Sequence, residues 1–340
     1  MEITESRVLA QAERAAPVLG PDEVAVDVVF CGVCGSDLHM LGDRGFPAGS
    51  VLGHELSGVV AAVGAGVAEP RIGDRVVVLP YESCGSCRYC TEGRENLCVT
   101  GGHLGSVIGV QRPGGLASTV VVAAGSVVPL PPRASLEHGA LAEPVAVACR
   151  AADRVLSGPD DPVVVVGTGP IGILVALVLA AGGRTAVRAL EVNPARRARA
   201  AALGIDVVDP AEGTTAALRG QDVATFVDCT GAPEAVASQV AAVRRGGRVV
   251  LVGLGASVEI DAEQTILREI EVVGSAGYAR RDFHRAVELL ASGALPADAL
   301  ITRVAPIADA DNVFADLRDP ATTHIKVLLR HDHRGDTRDD

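Results

Sequence analysis

Four cysteines within fifteen residues, Cys84, Cys87, Cys90 and Cys98, are the densest chemistry in the chain. Their C-x2-C-x2-C-x7-C spacing places four soft thiolate donors on a Gly-containing loop able to fold around one tetrahedral ion, and zinc suits such a set. Four protein donors fill the shell, so a structural role is expected. The competing explanation, disulfide pairing, belongs to oxidising compartments. The opening MEITESRVLAQAERAA carries scattered charges and no apolar signal core, so a cytoplasmic, reducing location is expected and metal is the better account.

A second donor set is dispersed. Cys34 lies in CGVCGSDLH, His54 and Glu55 in GHELSG, and Glu143 in LAEPVAVAC. Three protein ligands of mixed sulfur, nitrogen and oxygen type leave a position for water or an alcohol oxygen, the arrangement of catalytic zinc. Taken singly, each residue has an ordinary reading. An isolated Cys such as Cys31, Cys149 or Cys229 is commonly core filler, and an isolated His is commonly a satisfied polar residue.

A third constellation is Gly167-Thr168-Gly169-Pro170-Ile171-Gly172, set between the strand-like run Val163–Val166 and the helical stretch Ile171–Ala181. In that context GxGxxG is a dinucleotide fingerprint: a tight turn, close approach of backbone to a pyrophosphate, and close helix–strand packing with the helix N-terminus facing the anion. Pro170 fits an early helical position, where no intrahelical N–H is needed. Glu191 closes the next strand, where its carboxylate can accept both ribose hydroxyls and repel a 2′-phosphate. NAD is therefore favoured over NADP. Arg196 and Arg197, just beyond, keep the NADP reading open, and Arg188 departs from a fully apolar strand.

These sites need elements to hold them. At about 150 residues per domain, 340 residues suggest two domains, and 48% hydrophobic content leaves ample apolar surface to bury. Up to Pro132, short apolar runs (Val24–Phe30, Val59–Val63, Arg75–Leu79, Ser118–Val122) alternate with Gly and Pro turns, which predicts antiparallel β structure. Beyond Ala134 the strand-like runs Val163–Val166, Thr185–Leu190, Thr225–Asp228 and Arg248–Val252 alternate with the helical stretches Ile171–Ala181, Ala195–Leu203 and Pro233–Val243. That alternation predicts a parallel sheet with crossover helices. A helix over Asp282–Ala291 and a closing strand over Thr323–Leu329 follow, and the polar HDHRGDTRDD tail reads as disordered. The uncharged stretch Val163–Gly183 is interrupted by Gly-Thr-Gly-Pro and reads as a buried strand and helix, not a membrane span. Net charge −12 without long like-charge runs, and five Phe, three Tyr and no Trp, argue against nucleic-acid and membrane partners. A small-molecule partner is expected.

In order, CGVCGSDLH, GHELSGVV, GDRVVV, the four-cysteine loop, EPVAVA, GTGPIG, CTGAPEAV and GGRVVLVGL resemble the zinc-containing medium-chain alcohol dehydrogenases, from Val24 to Leu329. The glutamate of LAEPVAVA resembles the sorbitol, threonine and butanediol dehydrogenase branch. The resemblance implies an α/β chain with a GroES-like β-rich catalytic domain over 1–145 and 279–340, its zinc loop at 84–98, and a Rossmann parallel-sheet cofactor domain over 146–278. It implies a homodimer or homotetramer holding two zinc ions per chain and NAD. By motif, Cys34, His54 and Glu143 correspond to catalytic zinc ligands, with water or Glu55 as a fourth. Cys149 is the rival third ligand; six residues after Glu143 it lies about 240° round a helix, so the two cannot face one ion. Ser36 corresponds to the proton-relay hydroxyl, His39 to the outer relay, and Asp37 to the carboxylate that orients the zinc histidine. Thr230, Gly253, Leu254 and Arg196 correspond to cofactor contacts. Gly35 stands where many relatives carry a basic residue, and Lys326, the sole lysine, is placed to supply that charge to the pyrophosphate. Met40 and Phe46 are set either to line the substrate pocket or to pack in the core. The implied chemistry is hydride transfer between an alcohol, of secondary, polyol, diol or amino type, and NAD, giving the ketone or aldehyde, or the reverse. An imine- or enal-reducing relative and a non-catalytic zinc-stabilised binding protein are the alternatives. The retention of Ser36 and of both donor sets counts against them.

Overall fold

The computed structural model describes all residues except 16, 43–44, 157, 159, 212, 215–217, 219–220, 320 and 333–340. The chain divides into two compact units, Met1–Glu143 with Ala279–Asp340, and Pro144–Tyr278. The first opens with a hairpin of β1 (Glu2–Ile3) and β2 (Leu9–Ala10), then β3 (Glu23–Gly32), in which Val24, Val26 and Val28 alternate inward as a half-buried strand requires. Helix α1 (Gly35–Leu41) follows, then β4 (Glu55–Val63), β5 (Arg75–Val78), the short α2 (Arg88–Thr91), β6 (Thr119–Ala123), β7 (Val127–Pro129) and α3 (Leu136–Gly139).

Helix α4 (Ala142–Ala152) leads into the second unit, built from β8 (Val163–Val166), α5 (Pro170–Ala181), β9 (Val187–Leu190), α6 (Pro194–Ala202), β10 (Asp206–Val208), β11 (Thr225–Asp228), α7 (Pro233–Ala242), β12 (Arg248–Leu251), α8 (Ala262–Leu267) and β13 (Glu271–Gly274). All six strands run parallel in the order β10-β9-β8-β11-β12-β13. The four valines of β8 are all buried, as a strand covered on both faces demands. Arg188 has its reason here. In β9 it lies opposite Asp206 of β10 and pairs with it at 2.7 Å, a cross-strand ion pair near the sheet edge. The core of this unit centres on Val164, Val166, Leu190, Phe226 and Val249.

The chain then returns to the first unit with α9 (Arg280–Ala291), α10 (Ala297–Leu300), β14 (Ile301–Pro306), α11 (Ala310–Arg318) and β15 (Lys326–Arg330). Its main sheet has the order β14-β15-β3-β4-β5-β7, with β6 also on β3. The closing strand runs antiparallel to β3, Leu328 opposite Gly32, while Gly32 faces Glu55 across the β3–β4 pair. The neighbouring ends of β3 and β4 and the start of β15, 271 residues beyond Glu55, thus meet beside Cys34. Of the tail read as disordered, His331 is buried and its Nε2 lies 2.8 Å from the Gly115 carbonyl, whereas 333–340 lie outside the described residues. Among the described residues no helix is long and apolar enough to cross a membrane.

Candidate active site and metal centres

Cys34 stands at the N-terminus of α1 and His54 immediately before β4. What ties them together is Asp37. Its Oδ2 accepts the Cys34 N–H at 3.0 Å, closing the first turn of α1, while Oδ1 accepts the Gly53 N–H at 3.3 Å and lies 3.5 Å from His54 Nδ1. The last distance is a charge contact, too long and poorly aligned for a formed hydrogen bond. The ring's other nitrogen, Nε2, faces Ser36 Oγ at 3.5 Å. Burial alone would push the imidazole down; the Asp37 charge, with contact from Cys34, outweighs it and holds His54 well above its ordinary value. Orienting a histidine by a carboxylate on Nδ1, so that Nε2 points into the site, is the arrangement zinc ligands use. His39, five residues beyond Cys34 on α1, is exposed.

The ligand atoms that lie within 4.8 Å of one another belong to Cys34, His54 and Glu55. Glu143 does not complete a trio at that spacing, among the described residues. It opens α4, nearly buried, and its charge adds to the field that raises Lys326. Glu55 arrives because the β3–β4 register carries it there. Its two carboxylate oxygens each lie 2.7 Å from Lys326 Nζ, which also donates to the Val33 carbonyl at 3.1 Å, all of them buried. Lys326, expected at the pyrophosphate, is here turned to Glu55 and Val33. All three ammonium donors are spent within the first unit, because a buried carboxylate requires a cation beside it. Desolvation would lower the ammonium pKa, and Glu55 followed by Cys34 outweighs it and raises it.

The four-cysteine loop fits zinc on its own geometry. Sulfurs around an ion with bonds of about 2.3 Å at tetrahedral angles stand about 3.8 Å apart. Cys84 Sγ and Cys90 Sγ are 3.9 Å apart, and Cys87 Sγ and Cys90 Sγ 3.5 Å. All four thiols are free of disulfides, and backbone N–H groups point at the sulfurs, Cys84 to Cys98 Sγ and Cys87 to Cys84 Sγ, both at 3.3 Å. Backbone donation from Ser86 and Cys87 lowers the Cys84 thiol to about 5, while burial and then the crowding Cys87 thiol push Cys90 up to about 12. Four thiolates this close repel one another unless a cation lies among them.

In the second unit, Gly167 takes a φ of +89° at the tip of β8, and a Cβ on Gly172 would strike the Gly167 carbonyl, so the first and third glycines are sterically required. Glu191 ends β9 nearly buried. Its Oε2 accepts from Thr168 N at 2.8 Å and Thr168 Oγ1 at 3.1 Å, and its Oε1 from Asn193 N at 2.9 Å. Arg197 braces that end of the strand through the Glu191 and Val192 carbonyls and Asp209; Arg196 is exposed on α6. Thr230, Gly253 and Leu254 follow β11 and β12 at the same C-terminal edge, where doubly wound sheets bind nucleotides.

Residues 20–132 match the alcohol dehydrogenase GroES-like domain family and residues 170–292 the zinc-binding dehydrogenase family. The chain belongs to the zinc-containing medium-chain alcohol dehydrogenases. A sorbitol dehydrogenase of Halalkalibacterium halodurans is 34% identical over 331 residues, 94% of this chain and 95% of that protein. An alcohol dehydrogenase from Escherichia coli CFT073, solved with NADH, superposes with TM-score 0.89 at 27% identity, covering 97% and 98% of the two chains. A protein from Sinorhizobium meliloti 1021 bound to NADP gives TM-score 0.84 at 31% identity, covering 92% and 93%. The chain is thus an α/β oxidoreductase of the sorbitol dehydrogenase-like branch, a GroES-like unit and a Rossmann-type parallel sheet, acting on CH–OH groups with zinc and a nicotinamide cofactor.

Of the two readings left open for Met40 and Phe46 in this dehydrogenase, the packing favours the core. Met40 is a core residue, packed with Leu41, Val51 and Leu52, and Phe46 rests against the same cluster. The apolar face of α1 needs those side chains more than a pocket does. Sequence reasoning also missed the Glu55–Lys326 pair, whose partners are 271 residues apart. The one signal available was that a chain with a single lysine keeps it directly before the apolar run Val327–Leu329 of the closing strand.

Proposed function

We propose that the protein is an NAD-dependent dehydrogenase of polyols, diols or amino alcohols with a secondary hydroxyl, carrying two zinc ions per chain. The catalytic unit is assigned to 1–145 with 279–340, and the cofactor unit to 146–278. The observation that carries the reading is the convergence of Cys34, His54 and Asp37, with Ser36 Oγ on the Nε2 side of the ring. Cys34, His54 and Glu143 hold the catalytic zinc in this reading; Glu55 has both oxygens engaged by Lys326, which leaves Glu143 as the third ligand. Cys84, Cys87, Cys90 and Cys98 hold the structural ion. Zinc, when bound, supplies the Lewis acidity that lowers an alcohol's pKa. Asp37 would keep the His54 ring in register and Ser36 Oγ would take the hydroxyl proton and pass it outward towards His39, while a nicotinamide cofactor, when bound, would supply the acceptor for the carbinol hydride. The sorbitol-named relative supports the substrate class. Glu191 at the end of β9 supports NAD, since its carboxylate disfavours a 2′-phosphate.

Eight cysteines, none of them in a disulfide, support a reducing, cytoplasmic setting. The edge strand β13, with Ile266 and Leu267 about two-thirds exposed or more on the preceding helix, supports association with a second copy in a homodimer or homotetramer. The deciding experiment incubates purified protein with NAD or NADP and a panel of polyols, diols and amino alcohols, following reduced nicotinamide absorbance, with elemental zinc measured on the same preparation. Reduction of NAD by a secondary polyol at two zinc ions per chain is the expected result. Strict NADP use, or a single zinc, would overturn the corresponding assignment.

A further inference from the structure

The C-terminal edge of the parallel sheet holds one charged residue that the dinucleotide fingerprint does not account for. Asp228 ends β11 between Val166 of β8 and Leu251 of β12, and is fully buried. Its carboxylate is well satisfied. Oδ1 accepts from Thr230 Oγ1 at 2.8 Å and Gln239 Nε2 at 2.9 Å, and Oδ2 accepts from Gly231 N at 2.8 Å. Thr230 Oγ1 in turn accepts the Ala232 N–H at 3.0 Å, at the entrance to α7. Gln239 reaches Asp228 from α7 itself, so strand end, turn and helix are pinned to a single carboxylate.

The turn so held is the one on which the neighbouring loops rest. Gly231 has a φ of +66°, and a Cβ there would stand 2.5 Å from the Leu254 carbonyl oxygen. A Cβ on Gly253 would strike Gly231 N, and one on Gly167 would stand 2.7 Å from Thr230 Cγ2. The loops after β8, β11 and β12 therefore pack on the Asp228 turn with no room for slack. Burying a carboxylate is costly, and a packing role alone would be served by an apolar side chain. In sheets of this strand order the dinucleotide lies across the point where the order reverses, here between β8 and β11. Its adenosine half lies on the β8–β10 side and its nicotinamide half on the β11–β13 side.

We propose that Asp228 is a positioning residue for the nicotinamide half of the cofactor, setting the 230–231 turn and through it Gly253 and Leu254. This rests on the dinucleotide reading above and deepens it. The test is fluorescence titration of the full-length protein with NADH, beside competition by 5′-AMP, which engages only the adenosine half. Asp228→Asn keeps the shape but turns an amide donor towards the Gly231 N–H. NADH affinity is expected to fall about tenfold, the worth of one charge-assisted hydrogen bond, while 5′-AMP affinity holds. Unchanged NADH affinity, or equal loss of NADH and 5′-AMP affinity alongside a lowered Tm, would overturn the proposal, the latter marking a merely structural role. If Asp228→Asn does not fold, Gln239→Leu decides by the same titration, since it removes one bond to Asp228 from α7 and nearly conserves volume. Failure of the wild type to bind any nicotinamide dinucleotide would sink the underlying reading, and the inference with it.

Discussion

The two candidate metal centres of the first unit are built on opposite principles. The four-cysteine loop draws all its donors from one stretch of fifteen residues, and Cys84 at its mouth is exposed. The other centre draws Cys34 from the end of β3, His54 and Glu55 from the start of β4, and a buried cation from β15, with Asp37 bridging the first two. A local site keeps its ligand spacing whatever the surrounding sheet does. A long-range site depends on strand register, because a slip of one residue in β3–β4 would turn Glu55 to the opposite face. The first is therefore suited to bracing a lobe, and the second to holding a reactive position within a rigid frame.

The largest expected contrast is between Cys34→Ser and Cys87→Ser. Loss of Cys34 removes Lewis-acid assistance worth several kcal/mol, so turnover should fall by about three orders of magnitude, with one zinc lost and the Tm little changed. Cys87→Ser should also lose one zinc but lower the Tm, with kcat per folded molecule retained. Elemental analysis, thermal melts and initial rates on both variants measure the contrast, and equal effects would erase the distinction between the centres.

Next in size is Lys326→Met. It strands Glu55 as an uncompensated buried carboxylate and should cost about 3–5 kcal/mol in denaturant unfolding. A stability loss without weakened cofactor affinity would support a role for Lys326 confined to Glu55. Weaker dinucleotide binding at unchanged stability would return it to the pyrophosphate.

Asp37→Asn should act more mildly. Replacing the carboxylate that orients a metal histidine typically costs 10–100-fold in metal affinity or activity, and metal titration with a competing chelator would read it. In the four-cysteine loop the counterpart is Ser86→Ala, whose hydroxyl lies 3.6 Å from Cys84 Sγ, and it should act less, because backbone N–H groups that substitution cannot remove also point at the sulfurs.

The smallest effect belongs to Cys149→Ala. Cys149 is fully buried on α4, and its loss should cost roughly 1 kcal/mol and leave the bound zinc in place. Glu143→Ala should release the catalytic zinc. Zinc loss on the cysteine variant with retention on the glutamate variant would reverse the assignment of the third ligand.

How much of this was legible beforehand varies with the range of the interactions. Val163–Val166 and Thr225–Asp228 read correctly to the residue, since an apolar run bounded by a turn needs no distant partner to declare itself. Helix α1 was unread. Its seven residues carry a Gly, a Ser and an Asp in the first turn, and its stability comes from Asp37 closing that turn and from Met40 and Leu41 packing inward. Strands β13 and β14 were missed for a related reason. Their burial is slight, so no alternating pattern marks them, and pairing with a neighbour supplies what the side chains do not.

The sequence by itself determined the donor types, the GxGxxG turn, the acidic end of β9 and the two fold textures, because each is encoded by residues near one another along the chain. Only the tertiary structure decided that Lys326 serves Glu55, that Met40 belongs to the core, and that Asp228 holds the turn beneath Thr230 and Gly231. The physical reason is common to all three. A buried charge or a core side chain takes its role from whichever neighbours desolvate it, and those neighbours are chosen by strand order and register, which no local pattern specifies.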